Sequence, residues 1–271
     1  MTRLFARTSL AALLLMLAPW AQAIVFAVNE GSTYPAPNEE VRARYATIAA
    51  DLSKLLKQPV TIEPVADYAT LRKGLAAHSF DLAMVHPAHL SITAIKESGY
   101  KLVAVTKGFE QYRASFLVRG DSPLKTIADL KGQRLSMPED DSITARMVRA
   151  TLRDAQVDAK GVTMSYTRYQ DAIAFAVENK LTNAGATAAN GVVTAWQAQG
   201  GRVLAQSRPV PIKHIIASPS LSPEQVEKVR AYLVALDTTD EGKKKLEPCK
   251  YAGFERYDDT AMLAIGTWLG L

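Results

Sequence analysis

Cysteine is almost absent from this chain: among 271 residues there is one, Cys249. A disulfide framework is therefore excluded, and the fold must rest on ordinary core burial. An excess of one charge is missing as well. The chain has 32 basic and 27 acidic residues, and without Arg3 and Arg7 the balance of 30 against 27 leaves +3. No dense basic patch with interleaved aromatics occurs, which argues against nucleic acid as a partner. The one basic run, Lys243 to Lys245, suits a solvated helix face. Beyond the N-terminal segment no apolar run reaches the length of about 20 residues that a bilayer crossing takes. Internal repeats and low-complexity tracts are lacking too. So are the Ser–His–acid and Cys–His contexts of nucleophilic catalysis, and Cys249, in "LEPCKY" near the C-terminus, sits away from any expected cleft. The chain is not expected to be an enzyme.

What is present begins with an export signal. Arg3 and Arg7 form a basic segment, "SLAALLLMLAPW" an apolar core too short to span comfortably, and Ala21 and Ala23 the small residues that a signal peptidase reads. Residues 1–23 are expected to be removed after Ala23, leaving Ile24 as the mature start of a soluble, exported chain. The 271 residues less these 23 leave 248, enough for two lobes.

Strand-like and helix-like patterns then alternate. "IVFAVN", "VTIEPV", "FDLAMV", "KLVAVT" and "ASFLVR" are short apolar runs. Between the first two, Val41, Tyr45, Ile48, Leu52, Leu55 and Leu56 recur at helical spacing. A second series follows "DSPLKTIADLKG": the strand "RLSM", a helix from Ser142 to Ala155 with Ile143, Met147, Val148 and Leu152 inward, then "VTMSY", "QDAIAFAVEN", "NAGAT", "VVTAWQAQ" and "RVLAQS". Pro209 and Pro211 make "RPVPIKHIIAS" an extended crossing, and a terminal helix carries Val226, Val229 and Leu233. Such alternation predicts α/β lobes, each with a mostly parallel sheet covered by helices. Ligands of such sheets sit beyond the carboxyl ends of the strands, where loops and helix N-termini converge.

Two of the four histidines fall there, in "FDLAMVHPAHLS". As a metal pair, His86 and His89 lack a further Cys, His or carboxylate nearby. His89 is expected to pack against or cap the helix begun at Pro87, and His86 to border the cleft as a hydrogen-bonding group. His214 could join it when the lobes close.

An exported chain with "DYATLRKGL", "FDLAMVHP", "DSPLKTIADLKGQRL", a Ser/Thr helix start, "AFAVENKLTNAGA" and "SRPVPIKHIIAS", in that order, resembles the periplasmic phosphonate/phosphite/phosphate-type substrate-binding proteins of ABC importers. The resemblance covers roughly residues 24–235. It implies the type II periplasmic-binding-protein fold, two lobes joined by two crossing strands that close over a ligand. Lobe 1 would comprise residues 24–112 and 213–271 with the C-terminal helices, and lobe 2 residues 113–212. It also implies a periplasmic location, a monomer without cofactor or metal, a small anionic ligand, and an inner-membrane ABC permease as partner. A membrane sensor kinase is the alternative partner.

The family's ligand residues fall on Tyr68, on Tyr112, and on Ser142, Ile143 and Thr144, where the family holds a phosphoryl group at a helix start. A family histidine is replaced by Gln170, and two acids that hold an aminoalkyl group are replaced by Asn190 and Lys213. Those departures disfavour an amino-phosphonate and favour an anion, with Lys213 expected to face Ser142 and Thr144. Asp141 is expected either to cap the helix or to turn its carboxylate into the cleft.

Overall fold

The computed structural model describes residues 23–31 and 36–271, so most of the expected signal peptide lies outside the described residues. The chain alternates from its first strand. Strand β1 (Ile24–Val28) leads to helix α1 (Asn38–Leu56), β2 (Val60–Pro64) to α2 (Tyr68–Ala76), and β3 (Leu82–Val85) to α3 (Ala88–Ser98). Then come β4 (Lys101–Thr106), β5 (Ser115–Val118), β6 (Arg134–Pro138), α4 (Ile143–Asp154), β7 (Thr163–Thr167) and α5 (Asp171–Glu178). The chain continues through β8 (Ala184–Thr187), α6 (Asn190–Ala198), β9 (Arg202–Gln206) and β10 (His214–Ala217). It ends with α7 (Pro223–Ala235), α8 (Asp240–Leu246), β11 (Phe254–Glu255) and α9 (Asp259–Leu269).

These strands form two sheets, ordered β11-β4-β10-β3-β1-β2 and β7-β6-β8-β5-β9. In the first, β1 pairs in parallel with β2 and β3, while β10 inserts antiparallel between β3 and β4. In the second, β6 pairs in parallel with β7 and β8, while β5 runs antiparallel between β8 and β9. Four strands of each sheet thus share one direction, as the alternation predicts. Of the reversed members, β10 and β5 enter a sheet directly from the other lobe, while the short β11 runs antiparallel to β4 at the edge of the first sheet.

The chain crosses between sheets twice, before β5 and before β10, and the crossings are hydrogen-bonded to one another. Tyr112 and Val210 form an antiparallel bridge, the Val210 amide donating to the Tyr112 carbonyl at 2.9 Å. The Ile212 amide donates to the Phe109 carbonyl at 3.0 Å, and the Ser207 amide to Ala114 at 2.9 Å. A third link was not anticipated. Helix α9 packs on α3 in the first lobe and on α4 in the second. Trp268 donates through Nε1 to Asp154 of α4 at 2.9 Å, and Asp154 also pairs with Arg208, whose guanidinium lies over the Trp268 ring.

Helix α4 forms where the pattern predicts, because Ile143, Met147, Val148 and Leu152 bury one face while Arg149 and Arg153 leave the other polar. Helix α5 lies tightly on β8. A Cβ at Gly185 would stand 2.5 Å from an Ile173 methyl and 2.9 Å from one of Val177, so the close approach needs glycine. That approach brings the start of α5, and with it Gln170, to the end of β8.

Candidate binding cleft

Two adjoining cavities lie where the strand ends of both lobes meet the crossings. The first, about 330 Å³, is lined by Tyr68, Tyr112, Ser142, Thr144, Arg168 and Gln170, among others. The second, about 460 Å³, shares His86 and Tyr112 with the first and runs on to Asn190 and Lys213. All eight side chains singled out from the sequence therefore border this pair of cavities, six on the first and four on the second.

The start of α4 forms one wall of the first cavity. Ser142 has extended backbone (φ −70°, ψ 151°), and its Oγ accepts from the Ala145 amide at 3.1 Å. This makes Ser142 the N-cap and overturns that role for Asp141. A capping side chain must sit at the residue just before the first helical turn, and Asp141 stands one place too early. The amides of Ile143 and Thr144 have no acceptor among the described residues. Unpaired N–H groups and the positive end of a helix dipole attract negative charge. Thr144 is 2% exposed, and its hydroxyl lies 3.4 Å from that of Tyr112. Burial pushes the Tyr112 pKa up, so the phenol remains a proton donor at neutral pH.

Gln170 is oriented by a backbone donor, the Ala188 amide. Its Oε1 accepts from the Ala188 amide at 3.0 Å and from the Thr187 hydroxyl at 2.7 Å. The amide oxygen is thereby committed to the end of β8, which leaves the NH₂ group as the donor available to the cavity. Arg168, missed in the sequence, also lines this cavity and makes no ion pair among the described residues. Its signal was its place, two residues before Gln170 in the loop entering α5. Of the acids in the lining, Asp67 caps α2 by accepting from the Thr70 amide at 2.8 Å, and Asp141 faces Arg72 across the cleft at 3.9 Å. Glu139 is exposed at the rim.

A model of the family described as "ABC transporter, phosphonate, periplasmic substrate-binding protein" matches residues 34–262. The chain belongs to that family. Solved structures agree in fold. XAC2383 from Xanthomonas citri bound to ATP is similar with a TM-score of 0.73 at 14% identity, covering 92% of this chain and 97% of its own. PhnD1 from Prochlorococcus marinus in complex with methylphosphonate has a TM-score of 0.64 at 16% identity, with the same coverage of 92% and 97%. A binding protein component of an ABC phosphonate transporter from Pseudomonas aeruginosa has a TM-score of 0.60 at 20% identity, covering 91% and 85%. No curated protein matches the chain. It is thus a periplasmic solute-binding protein of an ABC importer, built for a small molecule and a membrane permease.

Several side chains of this binding protein stand elsewhere than expected. Lys213 does not reach the start of α4. Its ammonium lies over the Phe109 ring, 4.1 Å from the centroid, and 4.9 Å from that of Tyr251, so it faces the second cavity and an adjoining one of about 330 Å³ in the first lobe. Cys249 lines that adjoining cavity, nearer the cleft than its place in the sequence suggested. Burial and the nearby Glu30 push its thiol up to about 12, and Sγ bonds the Arg44 carbonyl at 3.4 Å.

The histidines divide. His86 borders both cavities. Burial, with the Lys213 charge second, lowers its pKa to about 4, so the ring is neutral at physiological pH. His89 is 2% exposed on the inner side of α3 and lines no cavity of the cleft, and burial beside Arg146 and Arg72 lowers it to about 3. His214 is wholly buried and turned away from the cleft. Its Nδ1 lies 2.5 Å from the Ser91 hydroxyl, and its Nε2 donates to the Pro211 carbonyl at 3.1 Å.

Proposed function

We propose that the binding protein captures a small oxyanion, of phosphonate, phosphite or phosphate type or a related acid, with its head group at the start of α4. One observation carries this reading. The free amides of Ile143 and Thr144, the Thr144 and Tyr112 hydroxyls, the Gln170 NH₂ and the Arg168 guanidinium all border one small cavity. Donors from a helix N-terminus, two hydroxyls, an amide and a cation form a set that suits a compact anion, while the acids of the lining are engaged by the Thr70 amide or Arg72 or exposed at the rim. Tyr68, at the first residue of α2, closes the cavity from the other lobe, and Ser142 fixes the α4 turn.

In this proposal residues 1–23 are removed after Ala23, and the mature monomer closes residues 24–112 and 213–271 upon residues 113–212. It then hands the ligand to an inner-membrane permease without altering it. Thermal-shift measurements on mature protein with phosphate, phosphite, methylphosphonate and methanesulfonate test the head-group assignment. A ligand that binds only the folded state raises Tm once its concentration exceeds Kd. At least one oxyanion should do so, and Thr144→Val should diminish the shift. Stabilisation by an alkylammonium ion but by none of the oxyanions would refute the proposal.

A further inference from the structure

Lys213 is a half-buried cation without an acid of its own. It makes no ion pair among the described residues, and its ammonium is held over the faces of Phe109 and Tyr251. The nearest acid is already engaged: Glu30 pairs with Arg44 and accepts from the Tyr45 hydroxyl at 3.1 Å. Arg44 turns its other nitrogen outward to Glu40, a side chain about half exposed. The inner set of Glu30, Arg44 and Lys213 therefore carries one positive charge in excess. Aromatic faces offset part of the cost of burying that charge but supply no hydrogen-bond acceptor.

The second cavity holds a further donor set against Lys213. It is lined by Ala188 and by Asn190, the first residue of α6. The residue before α6 is Ala189, which has no side chain to cap the helix, and the Asn190 and Gly191 amides have no acceptor among the described residues. A cation, a carboxamide and the free amide of Asn190 thus meet in a cavity whose acid, Glu30, is held by Arg44 and Tyr45, and which adjoins the head-group cavity through His86 and Tyr112. His86 is neutral there and adds no competing charge.

We propose that this second cavity is an anion subsite, and that the ligand is a bifunctional acid: an oxyanion head at α4 joined through a short linker to a carboxylate, or a like anionic group, between Lys213 and Asn190. The inference rests on the head-group assignment made above, and it reverses the sign of charge that an aminoalkyl ligand would bring.

Three ligands with the same three-carbon chain and different tail charge test it: 3-phosphonopropionate, propylphosphonate and 3-aminopropylphosphonate, titrated calorimetrically into mature protein. 3-Phosphonopropionate should bind at least about tenfold tighter than propylphosphonate, the expectation for one charge-assisted hydrogen bond. The aminopropyl compound should bind weakest. In Lys213→Met, which keeps an apolar stem over the rings, the ratio of the first two dissociation constants should fall toward one. Asn190→Ala should reduce the same ratio, which secures the test if Lys213→Met does not fold. Equal binding of the carboxylate and propyl ligands by the unaltered protein overturns the subsite while the head-group assignment stands. Failure of all three to bind overturns the subsite, and the head-group assignment is then judged by the thermal-shift result with the smaller oxyanions alone.

Discussion

Arg72 of the first lobe and Asp141 of the second face each other across the cleft mouth, guanidinium to carboxylate at 3.9 Å. Both side chains are about half exposed, so the pair is screened and contributes about 0–1 kcal/mol. Its larger effect is on ligand charge, because Asp141 is the acid on the second lobe that lies beside the α4 start. Asp141→Asn should leave oxyanion affinity unchanged or raise it by up to about fivefold, the equivalent of about 1 kcal/mol. Titration calorimetry checks this, and abolished binding in a folded Asp141→Asn variant would show that the ligand is a cation.

The crossings paired at Tyr112 and Val210 form a narrow two-stranded link about which the lobes should rotate. Helix α9, resting on both α3 and α4, confines that rotation on one side. Binding should therefore close the cleft by a hinge motion. Small-angle scattering should give a smaller radius of gyration at saturating ligand, and an unchanged profile would contradict the hinge motion.

Three buried histidines set a pH dependence of stability. His86 and His214 are lowered to about 4 and His89 to about 3, in each case chiefly by burial. In the unfolded chain they titrate near about 6.5, so between the two values the unfolded state binds more protons. Stability is then fully present above about pH 6.5, falls as pH drops toward 4, and levels off below the folded values. For the two most buried rings the loss when complete should be on the order of 3 kcal/mol for His214 and on the order of 5 kcal/mol for His89. Urea midpoints at pH 7, 5.5 and 4.5 should decline, and His89→Gln should flatten the decline. A constant midpoint over that range contradicts the burial of neutral imidazoles.

Cys249 should be an unreactive thiol. Its pKa is pushed up to about 12 and it sits in the core of the first lobe, 5% exposed. A thiol reagent at pH 8 should label native protein far more slowly than urea-unfolded protein, since the thiolate is the reacting form. Cys249→Ala should change oxyanion affinity by less than about threefold, under 1 kcal/mol. Loss of binding in the folded variant would instead place the sulfur on the ligand.

Much of the architecture was legible because it rests on local periodicity. The amphipathic spacing of Ile143, Met147, Val148 and Leu152 marks α4, and four-residue apolar runs such as Leu82 to Val85 mark central strands buried on both faces. Helix α9 gave no comparable signal. Its apolar residues surround much of the helix, since it packs against two lobes at once. The reversal of β5 and β10 was likewise hidden, because strand direction depends on where the chain crosses and not on which residues it carries.

The candidate site divides in the same way. Ser142 was legible because helix starts follow strands at short, regular distances, and such starts lie at the cleft in this kind of fold, whereas Thr144 and Gln170 were carried over from the family resemblance. What the sequence could not decide was orientation. Lys213 and His214 are neighbours on an extended chain, and successive side chains of such a chain point to opposite sides. Either side could have been the cleft. Packing of β10 between β3 and β4 put His214 into the core against Ser91 and left Lys213 over Phe109, facing the cavities. Residue order determined that the pair would be split, and only the tertiary packing on the two faces of the sheet decided which of the two would meet the ligand.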